Sequence, residues 1–239
     1  MTGAYANDGE TLDAVATLYL VSTPIGNMED VTMRALRVLR EVGLIAAEDT
    51  RRTRRLLDRY DIHTPMTPMH EHNERKKAPR LVAELEAGTD VALVTNAGTP
   101  NISDPGFLLV REAIEHGIAV VPVPGADALV PALAASGLAT HRFVFEGFLP
   151  KKPGERRRRL EAVAAQTCTV VLYESPYRIE RLVKELCELI PDRRVVLARE
   201  ITKLYEEFMR GTPRELLADL QARPRKGEFT VVIEGSSAG

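Results

Sequence analysis

The sequence predicts a two-lobed α/β protein, with a mostly parallel sheet in the N-terminal lobe and a mixed sheet in the C-terminal lobe. Three observations carry this. Short apolar strands alternate with amphipathic helices over roughly the first 120 residues, the pattern of a parallel sheet covered on both faces. The stretch Val121-Pro122-Val123-Pro124-Gly125 then interrupts that rhythm. Beyond it, two strands are separated by only a few residues, which requires an antiparallel neighbour.

In order, the first strand is Thr17–Val21, running into Ser22-Thr23-Pro24-Ile25-Gly26-Asn27. Asp30 is expected to cap a helix with Val31, Ala35, Leu36, Val38, Leu39 and Val42 on one face and Gly43 at its end. Leu44–Ala47 reads as a second strand, Ala78–Ala87 as helical and Val91–Val94 as a third strand. Asp104 and Pro105 fit the N-cap and first position of a helix closed by Gly117. Ile118–Val121 is a further strand, and Ala126–Ser136 is helical, leading to Phe143-Val144-Phe145. The second lobe carries strands at Thr167–Tyr173, Arg194–Ala198, Glu206–Arg210 and Phe229–Glu234. Ser175 and Pro176 open one of its helices, and Thr212-Pro213 with Glu215 open another through a capping box. The expected division is a flexible tail over residues 1–16, an N-terminal domain over 17–124 and a C-terminal domain over 125–239.

Composition narrows the function classes. The chain has 239 residues, 44% hydrophobic and 28% charged, with a formal net charge of −2. That is ordinary for a folded protein and excludes a uniformly basic nucleic-acid binder, though not a local basic patch. Cys168 and Cys187 are the only cysteines and read as small core residues. Met1–Ala16 lacks the features of a signal peptide and no run is long enough for a membrane span, so a cytoplasmic protein is expected.

Chemistry-bearing residues gather at strand ends, where open α/β sheets bind ligands. The loop Thr95-Asn96-Ala97-Gly98-Thr99-Pro100-Asn101-Ile102-Ser103-Asp104-Pro105-Gly106 is the most informative. Gly98 permits close backbone approach, and a helix starting at Asp104 would offer free N–H groups to a carboxylate or phosphate. An ordinary strand-to-helix turn explains the same residues, and neither a Walker loop nor a dinucleotide fingerprint is present. Glu48-Asp49-Thr50-Arg51-Arg52-Thr53-Arg54-Arg55 mixes carboxylates with arginines: Asp49 and Arg51 are the candidate functional pair, Arg54 a candidate phosphate contact, Arg52 and Arg55 a solvated face. His70-Glu71-His72-Asn73-Glu74 does not put two histidines on one helix face, so no metal is expected. Lys151, Lys152 and the run Arg156-Arg157-Arg158-Arg159 form either a phosphate-binding patch or a solvated helix face. Glu174, Ser175, Arg199, Glu200, Lys203, Lys226 and Gly227 mark further strand ends, with Ser175 also readable as a helix cap.

Taken in order, the clusters Leu20–Asn27, Ala47–Arg51, His70–Glu74, Ala97–Pro100, Ser103–Gly106, Glu146–Pro150, Tyr173–Ser175, Ala198–Glu200, Thr202-Lys203 and Lys226–Glu228 closely resemble the ribosomal RNA small subunit methyltransferase I family, from about Thr17 to Gly235. That family is similar in fold to the tetrapyrrole methylases. The resemblance implies S-adenosylmethionine in a cleft between two lobes, a homodimer, and 2′-O-methylation of a cytidine in the decoding region of 16S ribosomal RNA. It implies cofactor contacts from Pro24, Asn96, Ala97, Gly98, Thr99, Pro100, Ile102, Ser103, Asp104, Ser175, Glu200, Lys226 and Gly227. Asp49, Arg51 and Glu174 are the catalytic candidates, with Asp49 first as proton acceptor. Arg54, Lys151, Lys152, Arg156, Arg157, Arg199 and Lys203 are the RNA candidates on the small ribosomal subunit. The chain departs from the family pattern at Asn96, where an aspartate is usual, and at Asn101, where an apolar residue is usual. Methylation of a small tetrapyrrole and a non-catalytic RNA-binding role are the competing functions.

Overall fold

The computed structural model describes residues 16–236, so all but the last residue of the expected tail over residues 1–16 lies outside the described residues. Ala16 is 4% exposed and packs into the first core. The described residues divide into two compact units: residues 16–23 with Val31–Gly125, and Pro24–Asp30 with residues 126–236.

The first unit is built on a wholly parallel five-stranded sheet in the order β3-β2-β4-β1-β5. Its strands are β1 (Thr17–Val21), β2 (Leu44–Ala47), β3 (Met66–Pro68), β4 (Val91–Val94) and β5 (Ala119–Val123). The helices are α1 (Met33–Glu41), α2 (Thr50–Arg59), α3 (Glu74–Glu86) and α4 (Phe107–Glu115). All four residues of β4 are buried, as a central strand covered on both faces requires. Leu18, Leu81, Leu85, Leu93, Leu109 and Ile118 form the heart of this unit's core.

Two helices of this unit are capped by residues other than those expected. α1 is capped by Thr32, whose hydroxyl accepts from the Ala35 N–H, while Asp30 lies in a preceding 3₁₀ turn. α4 starts at Phe107 with Gly106 as N-cap, two residues beyond the expected Asp104-Pro105 start. Gly106 has φ of 135°, and a Cβ there would run into Leu93 and Asn101, so only glycine fits. Gly117 follows the end of α4 with φ of 72°, as the sequence predicts.

The second unit carries a mixed sheet in the order β6-β7-β10-β8-β9. The strands are β6 (Phe143–Phe148), β7 (Thr169–Glu174), β8 (Val195–Arg199), β9 (Glu207–Gly211) and β10 (Phe229–Ile233). Its helices are α5 (Leu129–Ser136), α6 (Pro153–Ala164), α7 (Ile179–Leu189) and α8 (Pro213–Ala222). Among paired neighbours only β6 and β7 are parallel; β10 is antiparallel to both β7 and β8, and β8 to β9. Alternation divides the sheet residues between two apolar layers. Val170, Leu172, Val195, Leu197 and Val231 pack with residues of α6, α7 and α8, whereas Val171, Val196, Ala198 and Val232 pack with Ala132 and Leu133 of α5. α8 has the predicted capping box between Thr212 and Glu215. α7 instead begins at Ile179, because Ser175–Arg178 form a turn.

Candidate active site

In the first unit the sheet order brings the C-terminal ends of β2, β4 and β1 side by side. Gly98 and Thr23 exchange backbone hydrogen bonds of 2.9 and 3.0 Å, which tie the loop after β4 to the end of β1. The Ser22 and Thr99 hydroxyls meet at 2.9 Å. Glu48, just past β2, accepts the Asn96 N–H at 3.0 Å. Asp104, at the other end of the loop, is half-buried and close enough to feel the Glu48 carboxylate. Burial, reinforced by the Glu48 carboxylate, pushes the Asp104 carboxyl up to about 6, and the Thr95 hydroxyl draws it partly back. The carboxamide oxygens of Asn96 and Asn101 are buried without a partner. Strand ends and loop therefore concentrate acceptors: two carboxyl groups and two unsatisfied amide oxygens, suited to a ligand that brings N–H or O–H donors or positive charge.

The expected anion site at a free helix start is absent, for a specific reason. The Glu74 carboxylate, 8% exposed at the beginning of α3, accepts the N–H groups of Gly106 and Leu108 at 3.0 and 2.8 Å. It occupies the positive end of α4, so an anionic ligand there would meet a buried carboxylate. The only trace of this role in sequence was an acidic residue within the His70–Glu74 cluster, with nothing pointing to a partner thirty residues away. No group of three or more metal-ligating side chains occurs among the described residues.

Asp49 caps α2. Its carboxylate accepts the Arg51 N–H at 2.9 Å, and that bond holds it below the ordinary aspartate range. The Arg51 side chain is 91% exposed and stands 3.5 Å from Asp49; Arg54 is half-buried on the same helix. Within the loop, Pro100 and Gly98 are buried, Asn96, Ala97 and Thr99 half-buried, and Ile102 and Ser103 exposed.

The second unit has a loop system of its own. Glu200 accepts the Glu228 N–H at 3.0 Å and pairs with Lys203 at 2.8 Å; Lys203 also reaches Glu228 at 2.8 Å. These ion pairs, working against partial burial, raise the Lys203 ammonium pKa and lower that of the Glu200 carboxyl. Gly227, at φ of 105°, lies against Glu200, where any Cβ would collide. Gly26 lies equally close to Lys203, and the Asn27 N–H reaches the Thr202 hydroxyl at 3.2 Å, which fixes the segment that begins at Pro24. Arg199 is committed inward: it donates to the Lys226 carbonyl at 2.5 Å and the Tyr205 carbonyl at 3.2 Å. Four of the five non-glycine residues at positive φ among the described residues are Asn101, Ser103, Glu200 and Thr202, all in these two loops. Backbone held in such conformations is a mark of functional loops.

Two sequence-based roles do not survive. Arg156 is 1% exposed and bonds Glu174 at 3.1 Å and Glu185 at 2.8 Å, so it cannot reach an RNA phosphate. Helix periodicity puts it on the same buried face as Leu160 and Val163. Glu174, also 1% exposed, is enclosed by Arg156, Arg178 and the Ser175 N–H, and has no free acceptor directed at a substrate. Ser175 thereby belongs to the turn that seals Glu174. Arg157 pairs with Glu161 and Lys152 with Glu155 on the exposed surface, while Lys151 is exposed.

Residues 17–217 match the model of the tetrapyrrole (corrin/porphyrin) methylases. Ribosomal RNA small subunit methyltransferase I of Halalkalibacterium halodurans is 49% identical over 224 residues, covering 94% of this chain and 78% of that protein. The same-named protein of Pseudomonas aeruginosa is 48% identical, covering 94% of this chain and 81% of that one. Among solved structures, a uroporphyrin-III C-methyltransferase from Thermus thermophilus, complexed with S-adenyl homocysteine, superposes with a TM-score of 0.63 at 21% identity, covering 92% of this chain and 97% of that chain. With matches of this extent, the chain belongs to the tetrapyrrole methylases and, among them, to the ribosomal RNA small subunit methyltransferase I family.

Proposed function

We propose that this protein is a methyltransferase that modifies the 2′-oxygen of a cytidine ribose in the decoding region of 16S ribosomal RNA, acting as a cytoplasmic homodimer. Family membership supports methyl transfer to ribosomal RNA. The observation that carries the chemistry is the acceptor-rich end of β2 and β4, where Glu48 holds the Asn96 N–H and its carboxylate is near enough to raise the Asp104 carboxyl.

The methyl donor is S-adenosylmethionine, which when bound supplies an electrophilic methyl group on a positively charged sulfur. The residues present fit such a group. The unsatisfied oxygens of Asn96 and Asn101 would accept the hydrogens of an amine, and the Glu48 and Asp104 carboxyls would favour positive charge nearby. Gly98 lets the backbone approach closely.

A ribose hydroxyl is a weak nucleophile and must lose its proton as its oxygen becomes methylated. A proton acceptor works best with a pKa near the working pH. Asp104, held at about 6, is ionised at neutral pH and still basic enough to take that proton. Asp49 is tied to the Arg51 N–H and is a weaker base, so its part in this reading is to fix the start of α2 and the position of Arg51. Burial keeps Asp104 basic, and Glu48 adds to this while orienting the loop through the Asn96 N–H.

Transfer of tritium from labelled S-adenosylmethionine into isolated small subunits, followed by nuclease mapping, tests the reading. Label on the ribose of one decoding-region cytidine is expected. Label on a base, or transfer only to a small tetrapyrrole, overturns it.

A further inference from the structure

The second unit leaves several large side chains in solvent, and strand directions place four of them at one edge. β6 and β7 are parallel, and β7 and β8 are both antiparallel to β10, so β6, β7 and β8 all run the same way. Whatever follows their C-terminal ends emerges on one side of the sheet. Phe148 ends β6 and is 55% exposed; Tyr177 follows β7 and is 96% exposed; Leu204 and Tyr205 follow β8 at 89% and 67%. The Lys226-Gly227 turn before β10 opens on the same edge.

The backbone around these positions is tied together. The Arg178 guanidinium, next to Tyr177, donates to the Leu149 carbonyl at 2.7 Å, locking the turn after β7 to the end of β6. The Phe148 ring lies 5.6 Å from that of Tyr173. Arg199 joins the Tyr205 and Lys226 carbonyls. Lys151 and Lys226 are exposed and have no carboxylate partner among the described residues. From β6 to β8 there are three strand intervals, roughly 14 Å at about 4.8 Å each.

Rings set apart along an edge, with unpaired ammonium groups beside them, match the alternation of flat bases and charged phosphates in an unpaired nucleic-acid strand. We propose that this edge is the docking track for a single-stranded segment of the RNA substrate: bases stack on Phe148, Tyr177 and Tyr205, and Lys151 and Lys226 meet the phosphates. The inference rests on the RNA-substrate reading above and adds the surface that holds the strand.

The test uses the full chain and a fluorescein-labelled single-stranded RNA about 12 nucleotides long, within the site sizes common for such surfaces. Fluorescence anisotropy should show Tyr177→Ala and Phe148→Ala each weakening RNA binding roughly 5- to 100-fold, as loss of one base–aromatic stack implies. Tyr177→Phe should bind like the parent, because stacking needs the ring and not the hydroxyl. Calorimetry should show S-adenosylmethionine binding unchanged in all three variants. RNA binding within twofold of the parent in both alanine variants overturns the track while leaving the substrate reading intact. Equal losses for Tyr177→Ala and Tyr177→Phe overturn stacking, and a change in sedimentation without a change in RNA affinity reassigns the edge to self-association. If the unaltered protein binds no RNA and labels no ribosomal RNA, the substrate reading itself fails.

Discussion

Asp49 and Asp104 sit at strand ends of the same sheet, yet their surroundings move their carboxyls in opposite directions. One accepts a backbone N–H as a helix cap, and the other is half-buried beside a second carboxylate. Replacing Asp104 by asparagine should therefore lower the methyl-transfer rate by about 10²- to 10⁴-fold, the usual contribution of a positioned base. With the parent protein, the rate should climb with pH through about 6 as Asp104 ionises, and the variant should lose that limb. Asp49→Asn should keep the rate within a few-fold, since asparagine also caps helices well. Stability gives an independent check. A raised folded-state pKa means that the unfolded chain ionises first, so this group contributes progressively less stability as pH rises from 3.8 to about 6. At pH 7 Asp104→Asn should stabilise by no more than about 1–2 kcal/mol, after discounting for solvent exposure, and the gain should fade toward pH 4 in urea melts. A variant both slower and more stable is the signature of a strained functional carboxyl. Equal stability at both pH values would mean that burial does not perturb Asp104.

Single elements depend on charges supplied from elsewhere in the chain. α4 has no side-chain cap of its own, and Glu74 satisfies its first turn from the start of α3. Glu74→Ala should cost about 2–3 kcal/mol in urea denaturation, as expected for two lost hydrogen bonds to a charged acceptor, while Glu74→Gln, which keeps one acceptor oxygen, should cost less. The helix also shows why the sequence misleads locally. Asp104-Pro105 has the form of a helix start, but the acceptor that starts the helix lies in another element, beyond the reach of local pattern. Strands fared better: β1, β2 and β4 fall where their apolar runs predict, because burial on both faces leaves a continuous signal. β3, with only Met66, Thr67 and Pro68, carries too little apolar surface to announce itself. In α6 a run of four arginines hides the phase of the helix, although Leu160 and Val163 disclose it and put Arg156 inside. Arg156→Ala strips the buried Glu174 of one partner and should destabilise by about 3–5 kcal/mol, whereas Arg157→Ala, on the solvent face, should change stability by less than about 0.5 kcal/mol. Matching losses for the two variants would contradict the burial of Arg156.

At the scale of the whole molecule, a net charge of −2 argues against indiscriminate binding to nucleic acid, so RNA affinity must come from where cations are left unpaired. Counting lysines and arginines in the sequence locates this poorly. Arg156 is neutralised inside the second unit, Arg159 pairs with Glu146, Arg157 with Glu161 and Lys152 with Glu155. The basic run that looks like the phosphate site is largely spent on its own carboxylates, and the aromatic edge beside Lys151 and Lys226 shows only once strand directions are known. Those two lysines should then dominate the salt dependence. Each phosphate neutralised on a single strand adds about 0.7 to the slope of log affinity against log salt. Lys151→Ala with Lys226→Ala should reduce that slope by about 1.4, while Lys152→Ala with Arg157→Ala should change it by less than about 0.7, because their carboxylate partners already screen them. Anisotropy titrations between low and moderate salt decide the matter, and equal changes for the two pairs would return the phosphate site to the arginine run of α6.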